Sequence, residues 1–154
     1  MTPDARFEDG PSRPLNLGAH DLEDLNIISA LAQDAILPLS QISWNKSRHR
    51  LALLINRLRR EETPDHPERV QSLLVINTAL TLSAQGSINN GKESILSLLA
   101  ITFTPDNEPP GGILTLTFAQ NTALRARVEA IDITLRDVTR PYLAPSGKIP
   151  DHGT

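Results

Sequence analysis

The sequence predicts an α+β fold in a single domain: a strongly bent, mostly antiparallel sheet or partly open barrel of six or seven strands, with an N-terminal and a C-terminal helix. Three observations carry this expectation. Between residues 36 and 129 strand-like segments recur, some alternating apolar and polar residues at strand period and others apolar at both parities. The segments are joined mainly by hairpin-length loops, which suit antiparallel neighbours and not parallel ones. Helices are expected near the two ends, where apolar residues fall at helical spacing over 22–32 and 131–138.

A chain of 154 residues with 39% hydrophobic and 21% charged residues has the size and composition of one soluble domain able to bury a core. Aromatics make up only 3%, so the core is expected to consist of Leu, Ile, Val and Ala, and stacking surfaces for single-stranded nucleic acid are scarce. The absence of cysteine excludes disulfides, thiolate catalysis and cysteine-ligated metal sites. No apolar run approaches the ~20 residues of a membrane span. The first fourteen residues lack a basic leader and an apolar signal core, so cytoplasmic residence is expected. Residues 1–14, with three prolines and Phe7 as the one large apolar side chain, predict a disordered tail. A single domain is expected over 15–140, and a second tail over 141–154.

In chain order, a short extended piece at 15–17 precedes a helix capped by Asp21, with Glu23 and Asp24 placed where the helix dipole favours acids. Leu22, Leu25, Ile28, Ser29 and Ala32 form the face that should meet the sheet. From Ala35 the pattern turns to β, and Pro38 marks an edge, bulge or break. Ile42 and Trp44 lead into a polar turn at 45–48. A long strand over about 49–60 follows, apolar on both faces at its centre: Leu51, Leu53 and Ile55 point one way, Ala52 and Leu54 the other. A helix is the competing assignment for this segment. Residues 61–68 read as a loop, 70–85 as one strand with a partly wet face, and 86–93 as a turn-rich loop. A central strand is expected over 95–104, ended by Pro105. Strands over 113–119 and 124–129, joined by a tight hairpin at 120–122, carry Leu124, Ala126 and Val128 inward and Arg125, Arg127 and Glu129 outward. Ile131, Leu135 and Val138 at i, i+4 and i+7 predict the C-terminal helix. Strands closed by a C-terminal helix also match the element order of pleckstrin-homology-like domains.

Two blocks, LGAHDLEDLNIISALAQDAILPLSQISWNKSRHRLALLINRLRREE and SILSLLAITFTPDNEPPGGILTLTFAQNTALRARVEAIDITLRDV, resemble domain-of-unknown-function family 2948. The resemblance rests on Gln33-Asp34-Ala35, the Asn56-Arg57 pair after an apolar strand, the Leu-Leu-Ala-Ile run at 98–101, and Arg125 with Val128-Glu129. It implies a small cytoplasmic protein of alphaproteobacteria and no assigned activity. Aromatic residues are common in that family at the positions of Leu51 and Leu58, and glycines near 120–122; this chain departs at both.

The formal net charge of −3 conceals an asymmetry, because six of the fifteen basic residues fall within 46–60, with no acid among them. A solvated hairpin and a patch for an anionic partner are the two readings of that run. The candidate binding residues are Asn56, Arg57, Arg59 and Arg60 at the end of the long strand, with Arg125, Arg127 and Glu129. Glu129 reads either as a structural ion-pair partner for Arg57 or Arg59, or as part of an anion site. The four histidines lack metal-ligand spacing, and no phosphate loop or nucleophile elbow is present. No catalytic residue, metal or cofactor is therefore assigned. A non-enzymatic binding or adaptor module for an acidic protein or small anion is the expected function. The alternatives are a small metabolite-binding protein or enzyme with a pocket between the first helix and the sheet, and nucleic-acid binding through the basic hairpin.

Overall fold

The computed structural model describes residues 14–59, 68–86, 94–139 and 142–143. These form one helix, α1 (Leu22–Ala32), and eleven strands: β1 (Asn16–Ala19), β2 (Ile36–Pro38), β3 (Ile42–Asn45), β4 (Arg50–Leu58), β5 (Glu68–Ile76), β6 (Ala79–Gln85), β7 (Ile95–Pro105), β8 (Gly112–Phe118), β9 (Thr122–Val128), β10 (Ile133–Asp137) and β11 (Tyr142–Leu143). Every strand pair is antiparallel. The strand order β1-β10-β5-β4-β2-β7-β8-β9-β6 has two ends, with β3 added to β4 and β11 to β5, so the sheet is not closed.

The long strands behave as their patterns require. On β4, Leu51, Leu53 and Ile55 are fully buried, and their register partners on β5 are Ile76, Leu74 and Ser72. Ile133 and Leu135 of β10 extend the first two of these rows. Rows of aliphatic side chains across three strands need no turn of helix to pack, which is why the strand reading of β4 prevails over the helical one. β7 couples the two halves of the sheet: residues 95–97 pair with β2, while most of its length pairs with β8. A bulge between Leu98 and Ala100 accompanies the change. The inward residues of β8 and β9, Leu114, Leu116, Leu124 and Ala126, join those of β4, β5 and β10 in one core.

Asp21 caps α1 as expected, its Oδ1 accepting from the Asp24 backbone N–H at 2.9 Å. Leu25, Ile28 and Ala32 are buried, whereas Leu22 is 51% exposed and drops out of the predicted face. Ser29 Oγ accepts from the Ile101 N–H at 2.9 Å, so the helix satisfies a β7 amide that β2 is too short to reach. Pro38 breaks the chain as expected: β2 ends there, and a 3₁₀ turn over Leu39–Gln41 leads into β3.

Three expectations are corrected. The predicted C-terminal helix is β10: Ile131, Ile133, Leu135 and Asp137 are buried alternately, a period of two that the coincidental spacing of Ile131, Leu135 and Val138 masks. Val138, which the helix needed on its apolar face, is 42% exposed. The capping helix behind the pleckstrin-homology-like analogy is therefore absent among the described residues. The single strand predicted over 70–85 is two strands, parted at Asn77 and Thr78, where Thr78 adopts a φ of 55°. That break sends β5 between β10 and β4, and β6 to the far end of the sheet. Finally, eleven strands replace six or seven, partly because short segments such as β1, β2 and β11 pair with longer ones. β11 also takes Tyr142 and Leu143 out of the predicted tail, through Arg69 and Glu68 of β5. The remaining tail residues, most of the 61–68 loop and the 87–93 part of the next loop lie outside the described residues.

Candidate functional site

The basic end of β4 is not the open patch that the sequence suggested. Arg57 and Arg59 keep the inward parity of Leu51, Leu53 and Ile55, and the covering does not stop after Ile55: Arg57 is 0% and Arg59 5% exposed. The Arg57 guanidinium meets protein groups. Its Nη2 donates to both Asp137 carboxylate oxygens at 3.2 and 3.3 Å, and its Nε to Ser72 Oγ at 3.0 Å. Ser72 Oγ donates to Asp137 Oδ1 at 2.6 Å, and Asp137 Oδ2 accepts from the Leu15 N–H at 2.9 Å. Ser72 and Asp137 are register partners of each other and stand on the same inward face. This is a fully enclosed ion pair with a hydroxyl and a backbone amide completing it, the arrangement that keeps a charge tolerable inside a core.

Arg59 Nη1 pairs with Glu68 Oε1 at 3.2 Å, from the facing end of β5. The described carboxylate partners of Arg57 and Arg59 are thus Asp137 and Glu68 rather than Glu129. Asn56 lies on the opposite face, where its carbonyl and side-chain oxygens accept from Arg69 Nη1 at 3.0 and 2.9 Å. Arg60 lies outside the described residues.

Arg125 and Arg127 occupy a different part of the sheet, on β9, with β2, β7 and β8 between it and β4 in strand order. Both have outward parity and are exposed. Their cross-strand neighbours form regular rows: Thr102, Thr115, Arg125 and Ser83 in one, and Thr104, Ile113, Arg127 and Thr81 in the next. Side chains directly opposite on one face stand about 5 Å apart at Cβ. The outer face of β7, β8, β9 and β6 is consequently a hydroxyl-bearing plane with two guanidiniums in it. Arg127 Nη1 is paired to Asp106 Oδ2 at 2.6 Å. Arg125 Nη1 donates at 2.7 Å to Gln85 Oε1, a neutral acceptor. Glu129 is exposed just beyond β9, its backbone N–H donating to Thr78 O at 3.1 Å. The candidate residues therefore divide into two groups that do not converge.

Two clefts are formed by described residues. One, of about 170 Å³, includes Ile36, Leu54, Asn56, Gln71 and Ile95; the other, of about 300 Å³, includes Ser94, Ile95, Ser97 and Gln120. Neither is lined by a charged side chain or by a residue of α1. Among the described residues no cluster of His, Asp and Glu is suited to hold a metal ion, and no helix is long and apolar enough to cross a membrane.

Sequence reasoning missed Asp137 and Ser72, since reading 131–138 as a helix hid the parity that aligns Asp137 with Leu135. It also missed Thr102, Thr115 and Ser83, whose alternation was visible but whose coplanarity with Arg125 depends on strand order.

The fold and this face define an open antiparallel β-domain with one helix and a polar, cationic sheet surface. The chain belongs to the family described as "Protein of unknown function (DUF2948)", whose model matches residues 15–152. No curated protein and no solved structure matches it.

Proposed function

We propose that the protein is a non-enzymatic binding module that receives an acidic protein on the outer face of β7, β8, β9 and β6, with Arg125 as the anchoring cation. One observation carries this reading: Arg125 is an exposed guanidinium whose hydrogen-bond partner among the described residues is the neutral Gln85 amide, flanked in register by the Ser83 and Thr115 hydroxyls. A guanidinium fork with adjacent hydroxyl donors suits a carboxylate, and exchanging a neutral acceptor for a charged one strengthens the bond. Arg57 and Arg59 are left out of the site because Asp137 and Glu68 already hold them.

Neither cleft includes an outward residue of this face, and small ligands bind in concavities, which favours a protein over a small anion. The two clefts lack a cation to hold an anion. Their position away from α1 gives no support to a metabolite or enzymatic site beneath that helix. Nucleic-acid binding is disfavoured by the net charge of −3 and by Asp106 standing in the same face against Arg127.

The test is affinity capture from lysate with wild-type protein and Arg125→Glu, both shown to be folded by circular dichroism. Acidic partners should be retained by the wild type, released by salt and lost on charge reversal. Identical capture by the two proteins would remove the reading. A metabolite panel in thermal shift checks the small-anion alternative, where a ligand at about 100 times its Kd adds about 2.7 kcal/mol.

A further inference from the structure

We infer that the acidic partner binds as an added β-strand on the outer edge of β6, with one of its carboxylates on Arg125. This rests on the reading above and specifies how the partner is held.

The edges of the sheet are not equivalent. β1, at one end, is only four residues long, and short edge strands resist further pairing. The β7 edge left over by β2 is covered at Ile101 by Ser29 of α1. β6, at the other end, is seven residues long and pairs with β9 alone among the described residues. Its one bulge lies between Ala79 and Thr81, so Thr81 to Gln85 runs in regular register. Ala-Leu-Thr-Leu-Ser-Ala-Gln contains no Lys, no Pro and no inward charge, the devices with which natural edges are usually protected. A regular, uncharged edge of this length presents a row of backbone donors and acceptors to an extended segment.

The charge beside the edge selects the occupant. The Cα partner of Arg125 on β6 is Ser83, and its guanidinium bonds the side chain of Gln85 two residues further along, so the cation is engaged with the outward side chains of the edge strand. An added strand would run about 4.8 Å beyond β6. An Asp or Glu on its outer face, opposite this stretch, falls within side-chain reach of the guanidinium. On the inner face Leu82 is half-buried against the core and Ala84 is exposed, so apolar residues on the added strand would extend that layer. The recognised segment therefore alternates acidic outward and apolar inward. A second copy of the chain is a poorer occupant, because a two-fold axis perpendicular to the sheet at the β6 edge sets the Arg125 guanidiniums of both copies on the same face across the seam.

The experiment uses the full chain and a display library of seven-residue segments, the length of β6. Selection should enrich segments with alternate apolar residues and an outward Asp or Glu. A selected peptide, made synthetically, should slow amide exchange at alternate residues of β6 by about tenfold or more. Methylating its β6-facing backbone amides should abolish binding, and Arg125→Gln should weaken it by about tenfold. Acidic peptides that depend on Arg125 but leave β6 exchange unchanged would overturn strand addition while leaving the protein-binding face intact. Selection without acidic preference, or no selection above background, would overturn both. A dimer of the free chain with protected β6 amides would also overturn the inference, because the edge would then belong to a second copy.

Discussion

Arg57 on β4 and Arg125 on β9 are both arginines in strands of alternating residues, and parity separates them. Arg57 shares its face with Leu51, Leu53 and Ile55 and is fully enclosed; Arg125 stands opposite Leu124 and Ala126 and faces water. In the half of the sheet built from β4, β5 and β10, charge is part of the core and is matched by Asp137. In the half built from β7, β8, β9 and β6, charge lies outside the core and is only lightly engaged. An arginine at inward parity thus calls for a buried carboxylate nearby, whereas one at outward parity is available to a partner.

The largest expected effect breaks or upholds the first side of that comparison. Arg57→Ala leaves Asp137 enclosed without its cation and should cost about 3–5 kcal/mol in urea unfolding. Replacing the pair together, Arg57→Met with Asp137→Leu, removes both charges and should recover most of that loss. A cost below about 1 kcal/mol for Arg57→Ala would mean that the buried pair is not structural.

Much of the fold was legible because its residues obey local rules. Asp21 is a helix cap by chemistry alone, and the alternation of 124–129 survives any strand order. The inward parity of Arg57 was legible too, since it is counted from Leu51. What covers that parity was not, because Asp137 is eighty residues away and nothing local links it to Arg57. The same holds for the proposed binding face: Ser83, Thr102 and Thr115 share a row with Arg125 through pairings that bring β6 and β7 to either side of the β8–β9 hairpin. Short strands were lost for a related reason, as β2 and β11 depend on the longer strands beside them.

Smaller changes probe the turns that hold the second half in shape. Gly86 follows β6 at a φ of 89°, and a Cβ there would meet Thr122 Cα at 2.8 Å. Gly86→Ala should therefore destabilise by about 1–3 kcal/mol, and it should loosen the β6 end near Gln85 more than the β4–β5–β10 half. Site-resolved amide exchange reads that difference; an equal loss of protection in both halves would show that they unfold as one unit. In the β8–β9 hairpin, Gln120 and Asn121 hold φ values of 65° and 57° without glycine. Gln120→Gly relieves the left-handed strain at some entropic cost and should raise stability by about 0.5 kcal/mol in thermal melts.

The smallest expected effect decides the second side of the comparison. Arg125 is exposed and bonded to a neutral amide, so truncating it removes neither a buried partner nor core packing. Arg125→Ala should leave the urea midpoint and slope unchanged, while binding of an acidic segment falls. Arg127→Ala is the control on the same strand. It breaks the pair with Asp106, whose partners are 45% and 34% exposed, and such pairs contribute about 0–1 kcal/mol. It also frees a carboxylate on the face proposed to receive acids, so it too should weaken binding of an acidic segment. Asp106→Ala does the reverse, releasing the Arg127 cation, and should strengthen binding. If Arg125→Ala destabilised the fold as Arg57→Ala is expected to, the division between core charge and surface charge would fail. If the Asp106 and Arg127 variants moved binding in the same direction, the face would be recognised by shape and not by charge.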